Sequence, residues 1–199
     1  IEAIKKMVNS LFLLIIVPFL VFYFLKDFDK MKLAIWYITP KRWRKHGQNL
    51  LKEIDRSLGR YIRGQLLVIF FLILLAAISF WLIDLPYPVL LGVIVGIADI
   101  IPYFGPIIGA VPVILIAMTI SFHMVLWVIG IMIVLHFLEG NVLSPLIVGR
   151  SLQMHPIVII LALLVGGEAF GIVGMILAVP FFAVARVVIS YLHRYKVKH

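Results

Sequence analysis

Apolar residues along this chain fall into blocks of two kinds, those long enough to cross a lipid bilayer and those too short to do so. The block at 8–25 gives ~27 Å of helix at 1.5 Å per residue, with Pro18 predicting a kink. A second block at 65–83 and a third at 124–138 also predict membrane-crossing helices. Between and after them lie shorter pieces. Residues 89–98 amount to ~15 Å of helix, half of the ~30 Å hydrocarbon core, and residues 157–165 are no longer than that. Neither crosses alone.

Each short block runs into a helix breaker and then into more apolar sequence. After 89–98 comes Asp99-Ile100-Ile101-Pro102-Tyr103-Phe104-Gly105-Pro106, whose prolines donate no backbone hydrogen bond and whose glycine tolerates non-helical angles. Apolar sequence resumes over 107–121. After 157–165 comes Gly166-Gly167-Glu168-Ala169-Phe170-Gly171, followed by 172–192. Pro88 and Pro112 are 24 positions apart, as are Pro156 and Pro180, and both stretches close on Ala-Val-Pro (Ala110-Val111-Pro112 and Ala178-Val179-Pro180). The pattern predicts two broken, re-entrant hairpins, since non-helical backbone at membrane depth is tolerated only inside protein or along a watery cavity. Paired interrupted segments of this kind point to a transport site.

Composition and charge place and orient these elements. With 64% hydrophobic and 14% charged residues and a mean hydropathy of +1.17, the chain is excluded from the ordinary soluble domains and needs a bilayer as partner. Eleven of the 18 Lys and Arg lie within 26–63 and four more within 186–198, so the positive-inside rule predicts both regions to be cytoplasmic. Thr39-Pro40 predicts a helix start. From there Leu50, Leu51, Ile54, Leu58, Tyr61 and Ile62 recur at helical spacing, with Lys52, Glu53, Asp55, Arg56 and Arg60 between them. That stretch reads either as an interfacial helix on anionic lipid or as a solvated linker helix. The basic run Lys41-Arg42-Trp43-Arg44-Lys45 beside a span is positive-inside charge, and no nucleic acid partner is expected.

The resulting organisation is a transmembrane helix (1–25), a basic cytoplasmic amphipathic helical region (26–63), a transmembrane helix with an outer hairpin (64–123), and a transmembrane helix with an inner hairpin and cytoplasmic tail (124–199). The connection at 139–155 falls on the cytoplasmic side, and the two halves then have opposite orientations. The fold class is all-α, a polytopic membrane helical bundle with two broken hairpins in inverted orientation. There is no cysteine, hence no disulfide or thiolate chemistry. The opening Ile-Glu-Ala-Ile-Lys-Lys reads as the interior of a longer sequence.

Candidate chemistry is confined to a few polar residues in apolar surroundings. Asp99, beside the first break, is a carboxyl suited to a proton-coupled role or, alternatively, a helix-end acid that accepts backbone N–H groups. Glu168 occupies the matching place in the second hairpin, where a glycine-rich turn gives it access to water. His136 and Glu139 share a helical face as a relay or a weak ligand pair, or as a helix-end acid beside a satisfied histidine; two ligands do not make a metal site. Arg150, in the Gly149-Arg150-Ser151 turn, binds an anion, pairs with Glu139 or faces lipid headgroups. Pro102, Gly105 and Gly171 shape the tips, whose free backbone groups coordinate ions without charged side chains. No cofactor is called for. A membrane enzyme is disfavoured because neither His-Glu-x-x-His nor Gly-x-Ser-x-Gly occurs and no acids are paired for catalysis. A non-transporting scaffold accounts for the apolar bulk but not for acids and irregular backbone at membrane depth.

Several segments together resemble the AI-2E transporter family, the PerM-like permeases. They are Tyr61-Ile62-Arg63-Gly64-Gln65, the run from Asp99 to Gly109, Glu139-Gly140-Asn141 with Pro145, Gly149-Arg150-Ser151-Leu152 before His155-Pro156, and the run from Gly171 to Pro180. The resemblance covers essentially the whole chain and corresponds to the later part of a family member. It implies a multi-pass transporter of the cytoplasmic (inner) membrane that exports a small molecule such as autoinducer-2 or exchanges sodium or lithium for protons. It also implies a homo-oligomer, and it adds Asn141 to the candidate pathway residues. The expected mechanism is alternating access at two hairpin tips that meet near the midplane.

Overall fold

The computed structural model describes residues 40–148 and 155–197; the expected span at 8–25 and Arg150 lie outside the described residues. The chain divides into two compact units, 1–49 and 50–199. Of the first, only the opening of α1 (Lys41–Leu82) and Pro40 before it are described. Every regular element among the described residues is helical, and three apolar stretches (Arg44–Leu82, Phe122–Ile147 and Pro156–Arg194) have the length and composition to cross a membrane. The chain is therefore a membrane helical bundle.

α1 starts directly after Pro40 and continues for 42 residues. The basic amphipathic stretch and the following span, expected as separate regions, are one helix through position 63. Gly64 does not break it because its missing side chain is needed for packing: a Cβ there would lie 3.2 Å from the Val148 Cα. Beyond it Val68, Leu72, Ala76 and Phe80 recur every four residues and are buried, while Leu66, Phe70, Leu74 and Trp81 stay exposed. The exposed face needs no protein cover in lipid. The helix closes with Asp84 in the left-handed region at φ 55°. The Leu85 N–H donates to the Phe80 carbonyl at 3.0 Å and the Asp84 N–H to the Trp81 carbonyl at 3.0 Å, a Schellman motif with the Leu85 and Phe80 side chains buried together.

Two short helices then pair as a hairpin. α2 (Pro88–Ala98) and α3 (Gly105–Met118), of 11 and 14 residues, are joined by a turn at 99–104 in which Tyr103 adopts φ 65°. Glycines allow the backbones to touch. A Cβ at Gly92 would lie 2.9 Å from the Ile73 carbonyl oxygen on α1, and one at Gly109 would lie 3.0 Å from the Val95 Cα. Close approach through small residues replaces the hydrophobic drive that lipid does not supply. α4 (Phe122–Leu138), capped by Ser121 Oγ accepting from the Met124 N–H at 3.1 Å, covers the other side through Val125, Val128, Met132 and Leu135.

Where a connection was expected at 139–155, the chain stays helical to residue 147. A π-helical turn (Glu139–Leu143) leads into α5 (Ser144–Ile147), the Ser144 N–H reaching back to the Glu139 carbonyl. Gly140 and Asn141 read as breakers, yet Gly140 meets no neighbour and Asn141 Nδ2 donates to the Phe137 carbonyl at 2.9 Å, so both fit a widened turn.

α6 (Pro156–Val197) is the second hairpin. Its 42 residues are divided at Gly171 (φ 62°, ψ −142°), a conformation open to glycine alone. The arms 156–170 and 172–197 fold against each other. Gly166 and Gly174 would be ~12 Å apart along a straight helix. Instead, a Cβ on Gly166 would lie 2.5 Å from the Gly174 carbonyl oxygen. The expected break at 166–171 is thus narrower: Gly166 and Gly167 are helical, and the reversal falls on Gly171.

Candidate functional site

Asp99 is the one buried charged side chain among the described residues, 3% exposed, at the end of α2 where the first hairpin begins to turn. Its position follows from the small residues around it. A Cβ on Gly105 would lie 2.6 Å from both the Ala98 carbonyl oxygen and the Asp99 Cα, so glycine alone lets α3 start this close. Gln65 on α1 holds the turn, its Nε2 donating to the Asp99 carbonyl at 3.1 Å and to the carboxylate Oδ2 at 3.5 Å. The second contact sits at the outer limit of a hydrogen bond. It is the only one the carboxylate accepts from a described residue, an unusual economy for a buried acid.

Two further groups lie within electrostatic reach of the same carboxylate. The Tyr61 phenol, four residues before Gln65 on the same face of α1, lies within electrostatic reach of Asp99 and is itself buried. Glu139, at the start of the π-helical turn, is the second carboxylate within that reach. Its Oε1 accepts from Ser144 Oγ at 3.3 Å. Residues five apart point in different directions on an α-helix, and the wider turn brings this pair together. His136 completes the group: its Nδ1 donates to the Met132 carbonyl at 2.7 Å, while Nε2 is buried without a partner among the described residues. A polar cluster thus links α1, the first hairpin turn and the π-helical turn, with two acids, a phenol, an amide and an imidazole each within hydrogen-bonding or electrostatic reach of another member. Such a set can bind a cation, exchange a proton or hold the polar part of a small solute. Among the described residues no three His, Asp or Glu side chains are grouped to hold a metal ion.

The structure therefore brings together Asp99, Gly105 and Glu139 from the expected site. Pro102 is half-buried in the same turn, and Asn141 is exposed on the π-helical turn. Glu168 and Gly171 are exposed at the turn of the second hairpin, and neither has a contact with the cluster among the described residues. The hairpins do meet, but tip to flank. Ile101 and Phe104 of the first turn pack with Ala162, Leu163, Met175, Ala178 and Val179 in the arms of the second, and Tyr61 joins them. Tyr61 and Gln65 are site residues that the sequence pattern does not single out. The available signal is a glutamine opening an otherwise apolar span, one helical turn after a tyrosine.

The AI-2E family transporter model matches residues 1–194. Similar proteins include "Putative transport protein YrrI" of Bacillus subtilis, 55% identical over all of this chain and 56% of the relative. "Putative transport protein YueF" of the same organism is 38% identical over 93% of this chain and 50% of its own length. "Putative permease PerM" of Escherichia coli is 31% identical over 88% and 50% respectively. The chain spans about half the length of the curated relatives it matches.

Proposed function

The chain belongs to the AI-2E transporter family, and from that premise we propose that it houses the transport site of a secondary transporter in the cytoplasmic membrane. In this reading the Asp99–Glu139 cluster couples passage of a small solute, autoinducer-2-like or a cation, to a gradient by alternating access. The observation that carries it is Asp99 itself. A buried carboxylate with one long hydrogen bond and a second acid nearby has no evident structural use, and retaining it is costly unless it changes partner during function. Exchange of sodium or lithium for protons is favoured over neutral-solute export by that pair of acids, since cations compensate it directly. The working form is a homo-oligomer.

Flux through purified full-length protein in proteoliposomes tests the reading, with autoinducer-2, sodium and lithium offered separately under an imposed proton gradient. Uptake of one of them that collapses with the gradient is expected. Absence of flux for all three from correctly inserted protein leaves a membrane scaffold as the better account. Orientation is tested apart from transport. With 26–63 and the C-terminus in the cytoplasm, both ends of the first hairpin face outward, so single cysteines at Tyr87 and Ser121 should both react with an impermeant thiol reagent from outside. Labelling from opposite faces would replace the re-entrant hairpin with a crossing.

A further inference from the structure

The exposed side of α1 changes its chemistry abruptly while keeping its direction. Lys52, Arg56, Arg60 and Arg63 are all exposed, and at 3.6 residues per turn they fall within about 80° of the circumference. Leu67, Phe70, Leu74, Ile78 and Trp81 continue the same sector and are exposed as well. No charged residue lies between Arg63 and Asp84, so residues 64–83, ~30 Å of helix, match the hydrocarbon core and Arg63 is the first charge outside it. Arg60 follows ~4.5 Å further out and Lys52 ~16 Å further out.

The arginines are organised around a notch. The Arg63 guanidinium folds back along the helix over Gly59, where an added Cβ would meet Nη2 at 3.3 Å and Cζ at 3.6 Å. Arg60, three residues earlier on the same exposed side, donates from Nε to the Arg56 carbonyl at 3.2 Å. None of these cations pairs with a described carboxylate, and the nearby Glu53 is engaged by Arg194 at 2.6 Å. A mid-helix glycine costs about 1 kcal/mol relative to alanine, and here it leaves room for the guanidinium.

We propose that Arg60 and Arg63 form a headgroup site for an anionic phospholipid, the phosphate lying between the two guanidinium groups and the acyl chains along Leu67, Phe70 and Leu74. A soluble polyanion would match the arginines and leave the adjoining apolar sector unused. A phospholipid matches both, with the phosphate at interfacial depth and the chains in the core. This does not depend on the transported substrate.

Native mass spectrometry of the full-length protein, offered phosphatidylglycerol and phosphatidylcholine of identical acyl chains, reads the site. Preferential retention of phosphatidylglycerol is expected. Arg60→Gln combined with Arg63→Gln should lower that retention by roughly 30-fold without changing phosphatidylcholine, and Lys52→Gln, too far from the interface, should leave both unchanged. Arg63→Lys, which keeps the charge but loses the forked guanidinium, should weaken retention severalfold and serves if the double variant fails to fold. Equal retention of the two lipids, or retention of phosphatidylglycerol that survives these substitutions, overturns the site. Complete displacement of the lipid by inorganic phosphate would overturn it too, in favour of a free-anion site.

Discussion

Asp99→Asn in the full-length protein is expected to cut transport by roughly tenfold or more and to flatten what remains of its pH dependence. Asparagine keeps the shape of the side chain and can still accept from Gln65, so the turn at 99–104 should persist. What it loses is the ability to carry charge or exchange a proton. It also relieves the juxtaposition with Glu139, so the variant should melt no earlier than the parent protein. The combination of lost transport with retained stability is the discriminating result. Unchanged flux and pH dependence would remove Asp99 from the mechanism, and lost flux with a collapsed melting temperature would make it a structural acid. Gln65→Leu, which withdraws the only described donor to Asp99, provides the complementary measurement: an altered pH profile with Asp99 intact would mark Gln65 as a positioning residue.

Gly174→Ala is expected to be the most destabilising single-methyl change in the described chain. The added Cβ would overlap the carbonyl of Gly166, so backbone must move for the arms of α6 to stay together. Overpacking against side chains costs about 1–3 kcal/mol, and against backbone the upper end or beyond applies. Gly130→Ala supplies the control. That glycine sits within α4, and a Cβ added there would meet nothing within 4 Å, so alanine should be neutral or stabilising by up to about 1 kcal/mol. Thermal unfolding of both full-length variants in the same detergent reads the contrast. If Gly174→Ala melts with the parent protein, the second hairpin is more open than its glycines imply.

The sequence exposed the half-length helices plainly because proline and glycine act locally. Pro88, Pro102, Pro106 and Pro156 each restrict the backbone wherever they occur, and the turn at 99–104 and the start of α6 lie where these residues put them. The contacts of the candidate site were harder to see. Asp99 and Gln65 are 34 positions apart, and their hydrogen bond depends on Gly92, Gly96 and Gly105 letting three backbones approach. Glycine is ambiguous in a one-dimensional reading. At Gly171 it permits a reversal, whereas at Gly64, Gly166 and Gly174 it provides a flat surface inside a helix. The same ambiguity concealed the continuity of α1 and moved the expected second break by several residues. The π-helical turn was hidden for a related reason, since Glu139-Gly140-Asn141 has the composition of a loop while its backbone bonds remain helical.

The seating of the first hairpin tip on the flanks of the second makes the two hairpins unequal in mechanical terms. Its turn is clamped by Tyr61, Ala162, Leu163, Ala178 and Val179. The opposite turn, with Phe170 78% and Ile172 70% exposed, projects past that clamp with no comparable grip among the described residues. The turn beside Asp99 is thus tied into the interior, whereas the turn that carries Glu168 and Gly171 faces the protein's surroundings.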